Sequence, residues 1–261
     1  MDVTFQPGHF MWHELVTPEP ERAIDYYGAI AGMQTRAYYP KGSDKPYWTW
    51  VDRFGPLGAL LTLDDAAKAR GHSPHWFANV MVKDLDACLQ EAQTRGATLL
   101  RGPEPMGTVG WWAVIRDPQG AEIAAFAAKD PLPARDPLLC GGFVWNELMA
   151  WDLEAAFSFY QALFGWEKLQ TIHCGALGEY LIYGVYGEAV GGMFTRPADD
   201  PTPVGWVYYV QVDALDAAVD LALTRGTRLI RRSDDIPGRG RIAQLVDPQG
   251  VLFGLREKPA R

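Results

Sequence analysis

Cysteine is scarce in this chain: Cys88, Cys140 and Cys174 stand far apart and form no CxxC spacing. That pattern excludes a disulfide framework and a thiolate zinc site, and it suits a reducing, cytoplasmic setting. Basic charge is also short. Lys and Arg total 24 against 32 Asp and Glu, a net charge of -8 that would repel a phosphate backbone. The only basic knot, Arg225 to Arg241, is interrupted by Asp234, Asp235 and Pro237, so no nucleic-acid partner is expected. No uncharged run approaches the roughly 18 residues that span a bilayer. The opening MDVTFQPGHFMW carries neither the basic nor the apolar region of an export signal, so neither a membrane partner nor export is expected. Histidine is limited to His9, His13, His72, His75 and His173.

What the chain does have is hydrophobic content, 48% over 261 residues, and a duplication. At an offset of 133 residues, Gly8, Phe10, Trp12, Glu14, Leu15, Tyr27, Gly32, Tyr47 and Gly58 recur as Gly141, Phe143, Trp145, Glu147, Leu148, Tyr160, Gly165, Tyr180 and Gly191. Three extra residues in the first copy, between Leu60 and Trp76, shift the offset to 130. Trp76, Val82, Leu85, Arg95, Gly96 and Asp117-Pro118-Gln119-Gly120 then recur as Trp206, Val212, Leu215, Arg225, Gly226 and Asp247-Pro248-Gln249-Gly250. The stretch AKDPLPARDPLLC, with three prolines, disfavours regular structure. The domains expected are therefore 1–129 and 141–261, joined by a Pro-rich linker at 130–140.

Each copy alternates between the two periodicities. PGHFMWHELVT reads as a strand. PEPERAIDYYGAIAG has acidic residues early, apolar residues at helical spacing and Gly32 as a stop. QTRAYY, PYWTWV and GALLTL follow as strands. HWFANVMV, DLDACLQEAQTRG, ATLLRG, WWAVIRD and AEIAAFAA then repeat the order strand, helix, three strands. Two βαβββ modules per copy predict four in the chain.

Paired βαβββ modules, a helix ending in an aromatic pair with Gly nearby (AIDYYGAIAG, AFSFYQALFGW) and a DPQG turn before the last strand resemble the vicinal oxygen chelate superfamily, which includes glyoxalases, bleomycin-resistance proteins and extradiol dioxygenases. The W-x-E-L on the first strand and DIPGRGRIAQLVDPQG near the end are similar to a two-copy glyoxalase-like subgroup. The resemblance implies an α+β fold: tandem glyoxalase-like domains, each a pair of modules forming a cupped mixed sheet with helices outside. It also implies one divalent metal per cup, held by His and Glu on inward strand positions, where vacant coordination sites would polarise substrate oxygens.

Those positions here hold Trp12, Leu61, Phe77 and Ala124 in copy one, and Trp145, Phe194, Val207 and Gly254 in copy two. None is a metal ligand. A slip of two residues would bring in His75 and Glu122 in copy one but only Gly205 and Leu252 in copy two. The expectation is no metal cofactor, with a divalent ion as the alternative.

Glu14 and Glu147 are the catalytic candidates. Strand alternation puts each on the face of the Trp two residues earlier, and a carboxylate walled by aromatic rings suits general acid or base work near neutrality. The alternative is a structural hydrogen bond or salt bridge repeated in both copies. Trp12, Tyr47, Trp145 and Tyr180 are the expected ligand-stacking residues among many strand aromatics whose other role is core packing. Arg241, after a Gly-rich turn, would either grip a carboxylate or enolate at the mouth of copy two or stand as an exposed turn arginine. His13 points away from Glu14, so the pair cannot share an ion. The expected partner is thus a small, partly aromatic or apolar molecule in an otherwise monomeric or homodimeric protein. Three activities fit: Glu-based acid/base chemistry, drug sequestration of the bleomycin-resistance kind, or a metal-dependent lyase, isomerase or dioxygenase.

Overall fold

The computed structural model describes residues 6–69, 71–132, 141–175, 178–198, 202, 204–236 and 240–258. Cys140, Pro237 and most of the expected linker lie outside these residues.

The modules follow in chain order. The first holds β1 (Phe10–Thr17), α1 (Pro20–Ala31), β2 (Gln34–Tyr38), β3 (Tyr47–Asp52) and β4 (Gly55–Thr62). A short helix, α2 (Asp65–Ala69), occupies the stretch where copy one carries its extra residues. Next come β5 (His75–Met81), α3 (Leu85–Thr94), β6 (Thr98–Met106), β7 (Gly110–Arg116) and β8 (Glu122–Ala128). The third module holds β9 (Phe143–Ala150), α4 (Leu153–Phe164), β10 (Glu167–His173), β11 (Glu179–Val185) and β12 (Glu188–Thr195). The fourth holds β13 (Gly205–Val212), α5 (Leu215–Thr224), β14 (Arg228–Ile236), β15 (Gly240–Val246) and β16 (Leu252–Glu257).

The fold is α+β, with two mixed eight-stranded sheets ordered β2-β3-β4-β1-β5-β8-β7-β6 and β10-β11-β12-β9-β13-β16-β15-β14. Within each module the last strand returns parallel to the first, as β4 does to β1 and β16 to β13. The other neighbours within each module are antiparallel. Helix ends follow local chemistry. Asp84 and Asp152 cap α3 and α4 by accepting the N–H of Ala87 and Ala155, both at 3.0 Å. Gly165 closes α4 at φ 71, a left-handed conformation that glycine adopts without Cβ strain.

By contact the chain forms two compact units that do not coincide with the sequence copies. One comprises Met1–Met11, Phe77–Arg135 and Trp145–Trp206. The other comprises Trp12–Trp76, Asp136–Val144 and Val207–Arg261. Each therefore takes one module from each copy, and the DPQG turn explains the pairing.

In the first unit Asp117 Oδ1 accepts the N–H of Gln119 and Ala121, both at 2.8 Å, which fixes the turn. Its Oδ2 accepts the hydroxyl of Tyr160 on α4 at 2.8 Å. Gln119 completes the grip at the start of α4, accepting the N–H of Trp151 and Asp152 at 2.7 and 2.9 Å and donating to Asp152 O at 2.8 Å. The second unit repeats this arrangement. Asp247 accepts from Gln249 N, Val251 N and the hydroxyl of Tyr27 on α1. Gln249 accepts from Thr17 Oγ1 and Glu19 N. Indole N–H groups finish the cluster: Trp206 donates to the Tyr160 oxygen at 3.3 Å and Trp76 to that of Tyr27 at 3.2 Å.

Both aspartates are about 5% exposed, and burial pushes their carboxyls above the ordinary range even though each accepts several hydrogen bonds. The sign follows from linkage. A carboxyl whose folded pKa is raised contributes stability that is complete below its unfolded value of about 4 and is lost as pH rises through the folded value. Wild-type protein should therefore gain stability relative to Asp117→Asn and Asp247→Asn variants as pH is lowered from 7 towards 4, read from urea midpoints at each pH. A pH-independent difference would contradict the burial argument.

Candidate functional site

Strand alternation gives the third module two distinct faces. On one, Tyr183 of β11 packs 4.4 Å from Trp166, which neighbours Tyr160 and Phe164 of α4. This is the helix face. Tyr180 and Ile182 of β11 point to the opposite face, as do Trp145 and Glu147 of β9.

Three of the candidate residues meet on that second face. The Trp145 indole donates to Tyr180 Oη at 2.9 Å, and the Tyr180 hydroxyl donates to Glu147 Oε2 at 2.7 Å. All three are buried, and Phe194 of β12 stacks on the Tyr180 ring at 6.0 Å. A carboxylate this buried is tolerable because it accepts a strong O–H bond, and the indole in turn directs the hydroxyl proton towards it.

Two adjacent glycines make the arrangement fit. In register, β12 places Gly191 beside Asn146 and Gly192 beside Glu147. A Cβ at Gly192 would fall well under 3.0 Å from the Tyr180 hydroxyl, so the ring lies flat across a bare backbone. A Cβ at Gly191 would strike the Asn146 carbonyl and Tyr183, whose hydroxyl donates to that same carbonyl at 2.9 Å. One glycine thus seats a tyrosine on each face.

Copy one carries the same residue types. Trp12 and Glu14 share a face of β1, and Glu14 is buried opposite Ala59 of β4. Ala59 stands where copy two has Gly192. Its methyl would occupy the space that the Tyr180 ring fills, and Tyr47 is 36% exposed where Tyr180 is 8%. Among the described residues, the buried Trp12 Nε1 finds no hydrogen-bond partner, unlike Trp145 Nε1.

The other positions are committed to packing or ion pairs. The Tyr209 ring covers Gly254, and Gln244 donates to its hydroxyl at 2.8 Å. Arg241 is tied to Asp216 at 2.7 Å and to Glu257 at 3.4 Å, with Arg232 pairing to the same Asp216. These cations hold the Asp216 carboxyl below its ordinary range. His13 is buried, stacked on Phe143 at 3.9 Å and edge-on to Tyr208.

A divalent ion of the kind the fold implies needs several oxygen or nitrogen donors around one point. Among the described residues no three His, Cys, Asp or Glu side chains converge. Next to Glu147 stand Trp145, Tyr180, Phe194 and Gly192, which offer one phenol already bonded to the carboxylate. Of the slipped candidates, His75 Nδ1 lies 2.7 Å from Ser73 O and Glu122 pairs with Arg116 at 2.7 Å. These residues do not fit the ion.

Sequence reading missed the glycines and the DPQG side chains. The signal for the first was present in the Gly-Gly of AVGGMFT, on the strand next to one that carries Tyr180 and Tyr183. For the second, DPQG reads as a turn, and nothing local says that its Asp and Gln reach the helix of a distant module.

Residues 6–125 and 142–255 each match the profile of the Glyoxalase/Bleomycin resistance protein/Dioxygenase superfamily. The chain is 27% identical over 256 residues to the "Putative glyoxylase CFP32" of Mycobacterium tuberculosis, covering 98% of this chain and 97% of that protein. It is 25% identical over 264 residues to the "Anthracycline biosynthesis protein DauV" of Streptomyces sp. strain C5, covering 97% and 94%. The Mn(II)-bound glyoxalase from Novosphingobium aromaticivorans aligns with a TM-score of 0.64 at 10% identity, over 97% of this chain and 83% of that one, a likeness of fold alone.

Neither glycine should accept a methyl group. Gly191→Ala collides with the Asn146 carbonyl, and Gly192→Ala pushes the Tyr180 hydroxyl away from the buried Glu147 carboxylate, so each should cost about 3 kcal/mol or more. Urea unfolding of both variants checks this; a loss under about 1 kcal/mol in either would contradict it.

Proposed function

Because the chain belongs to the glyoxalase/bleomycin resistance/dioxygenase superfamily, we propose that it binds a small, partly aromatic or apolar carbonyl compound on the strand face opposite the helices. A glutamate, and not a metal ion, moves a proton on that compound. The observation that carries this reading is the buried row from Trp145 through Tyr180 to Glu147, whose residue types recur as Trp12, Tyr47 and Glu14.

The chemistry needs little more than these groups. A glutamate carboxylate takes a proton from the carbon next to the carbonyl, the C–H electron pair moves towards the carbonyl oxygen, and the resulting enolate is reprotonated from the same carboxyl. Indole and phenol donors on the face can stabilise the developing oxyanion. The aromatic walls suit a flat ligand. A relative named for anthracycline biosynthesis is in keeping with that, since anthracyclines are fused-ring aromatic ketones. The side chains around Glu147 are the reason for preferring proton transfer without a metal. A pure sequestration role is the second reading, favoured by the closed Tyr180–Glu147 bond.

Deuterium uptake at the α-carbon of 2-hydroxyacetophenone in D2O, followed by NMR, separates the readings. The wild type should catalyse exchange, and the double variant Glu14→Gln/Glu147→Gln should lose about 100-fold or more of the rate. Unchanged exchange in the double variant would refute the glutamate's role. Saturable binding without exchange in the wild type would favour sequestration.

A further inference from the structure

A recess of about 510 Å³ lies in the first compact unit, between α3 and the end of α4. Its floor is apolar and is formed by Met81, Cys88, Leu163, Phe164 and Val185, all of them buried. Burial, with the Asp84 carboxylate nearby, pushes the Cys88 thiol up to about 12, so near neutral pH that group is an uncharged part of the floor. The mouth carries Asp84, Glu91 and Glu167 against Lys83. Asp84 caps α3 and Glu91 pairs with Arg95 at 2.6 Å. Glu167, exposed at the start of β10, forms no ion pair among the described residues.

One wall of the recess is a residue that its own backbone disfavours. Val185 and Glu188 close a two-residue hairpin loop, Tyr186-Gly187, at φ 52 and 76. Positive φ at both places is the type I′ turn, which prefers Asn-Gly and strains a bulky residue at its first position. Tyr186 is the one non-glycine residue at positive φ among the described residues, and it stands 60% exposed with the His9 ring 5.8 Å away. Little burial offsets that strain. The fold does not demand the residue either: at the matching places of the second unit, Phe164, Tyr186 and Glu91 are replaced by Ala31, Arg53 and Leu221. A local rule broken without a structural return marks a place kept for contact with something else.

We propose that this recess binds a small aromatic amine as its ammonium ion, with Tyr186 as the wall that covers it. The hydrocarbon part packs on Met81, Leu163, Phe164 and Val185. The ammonium group lies at the mouth beside Glu167, where a tyrosine face and a carboxylate both favour a cation. The volume is that of an ordinary small-ligand site. This site is separate from the strand face discussed above, and neither reading depends on the other.

The test is a titration of the full chain, labelled with 13C-methyl methionine, with 2-phenylethylamine and with the size-matched anion 3-phenylpropionate. A Met81→Leu variant identifies the Met81 methyl resonance. In the wild type that resonance should move saturably with the amine, and the anion should bind about tenfold more weakly or not at all. In Tyr186→Asn, a residue suited to the left-handed turn, the thermal midpoint should stay level or rise while affinity for the amine falls about tenfold or more. Glu167→Gln should also weaken the amine and leave the anion no worse. Absence of a saturable Met81 shift with the amine, or equal affinity for the anion, overturns the proposal. Unchanged amine affinity in either variant overturns it as well. A Tyr186→Asn protein that melts several degrees lower shows that the ring serves the fold, and that result overturns the role given to Tyr186.

Discussion

The structure depends on a buried bond between a turn and a helix that lie far apart in sequence. Asp117 receives the Tyr160 hydroxyl, and Asp247 receives that of Tyr27, while the neighbouring Gln of each DPQG turn holds the start of the same helix. A carboxylate that is nearly solvent-free must have its oxygens occupied, and here every partner is supplied by backbone N–H groups or by a tyrosine of another module. The consequence is topological. Each compact unit joins one module from each copy, so the duplication is stitched across its own boundary and not merely strung along the chain.

That arrangement places the helices and their aromatic neighbours on one strand face and leaves the other for the Trp–Tyr–Glu row. The sorting is a matter of parity. Tyr183 and Tyr180 are three residues apart, hence on opposite faces, and the adjacent glycines Gly191 and Gly192 give each ring a flat seat. Such packing leaves little tolerance for a methyl group at either glycine.

Much of the architecture was legible in the sequence. The four modules, their order, and helix ends such as Gly32 and Asp84 follow from periodicity, capping residues and the repeat, because these are local or self-referential signals. The meeting of Trp145, Glu147 and Tyr180 was partly legible, since strand alternation fixes that Trp145 and Glu147 share a face. It does not fix which hydroxyl reaches the carboxylate, because that depends on the register of β11 against β12. Three features were not legible: the cross-copy clamp, the engagement of Arg241 by Asp216 and Glu257, and the seating of the tyrosines. Each is a contact between elements whose approach the sequence does not encode locally.

We propose that Glu147 and its counterpart Glu14 work through protein donors and protons and not through a bound ion. Diffraction data collected on either side of the manganese, iron and zinc absorption edges, from protein purified without chelator or histidine tag, address it most directly. The expected result is Glu147 hydrogen-bonded to Tyr180 and no anomalous density beside either glutamate. An anomalous peak about 2 Å from a carboxylate oxygen of Glu14 or Glu147 would contradict it.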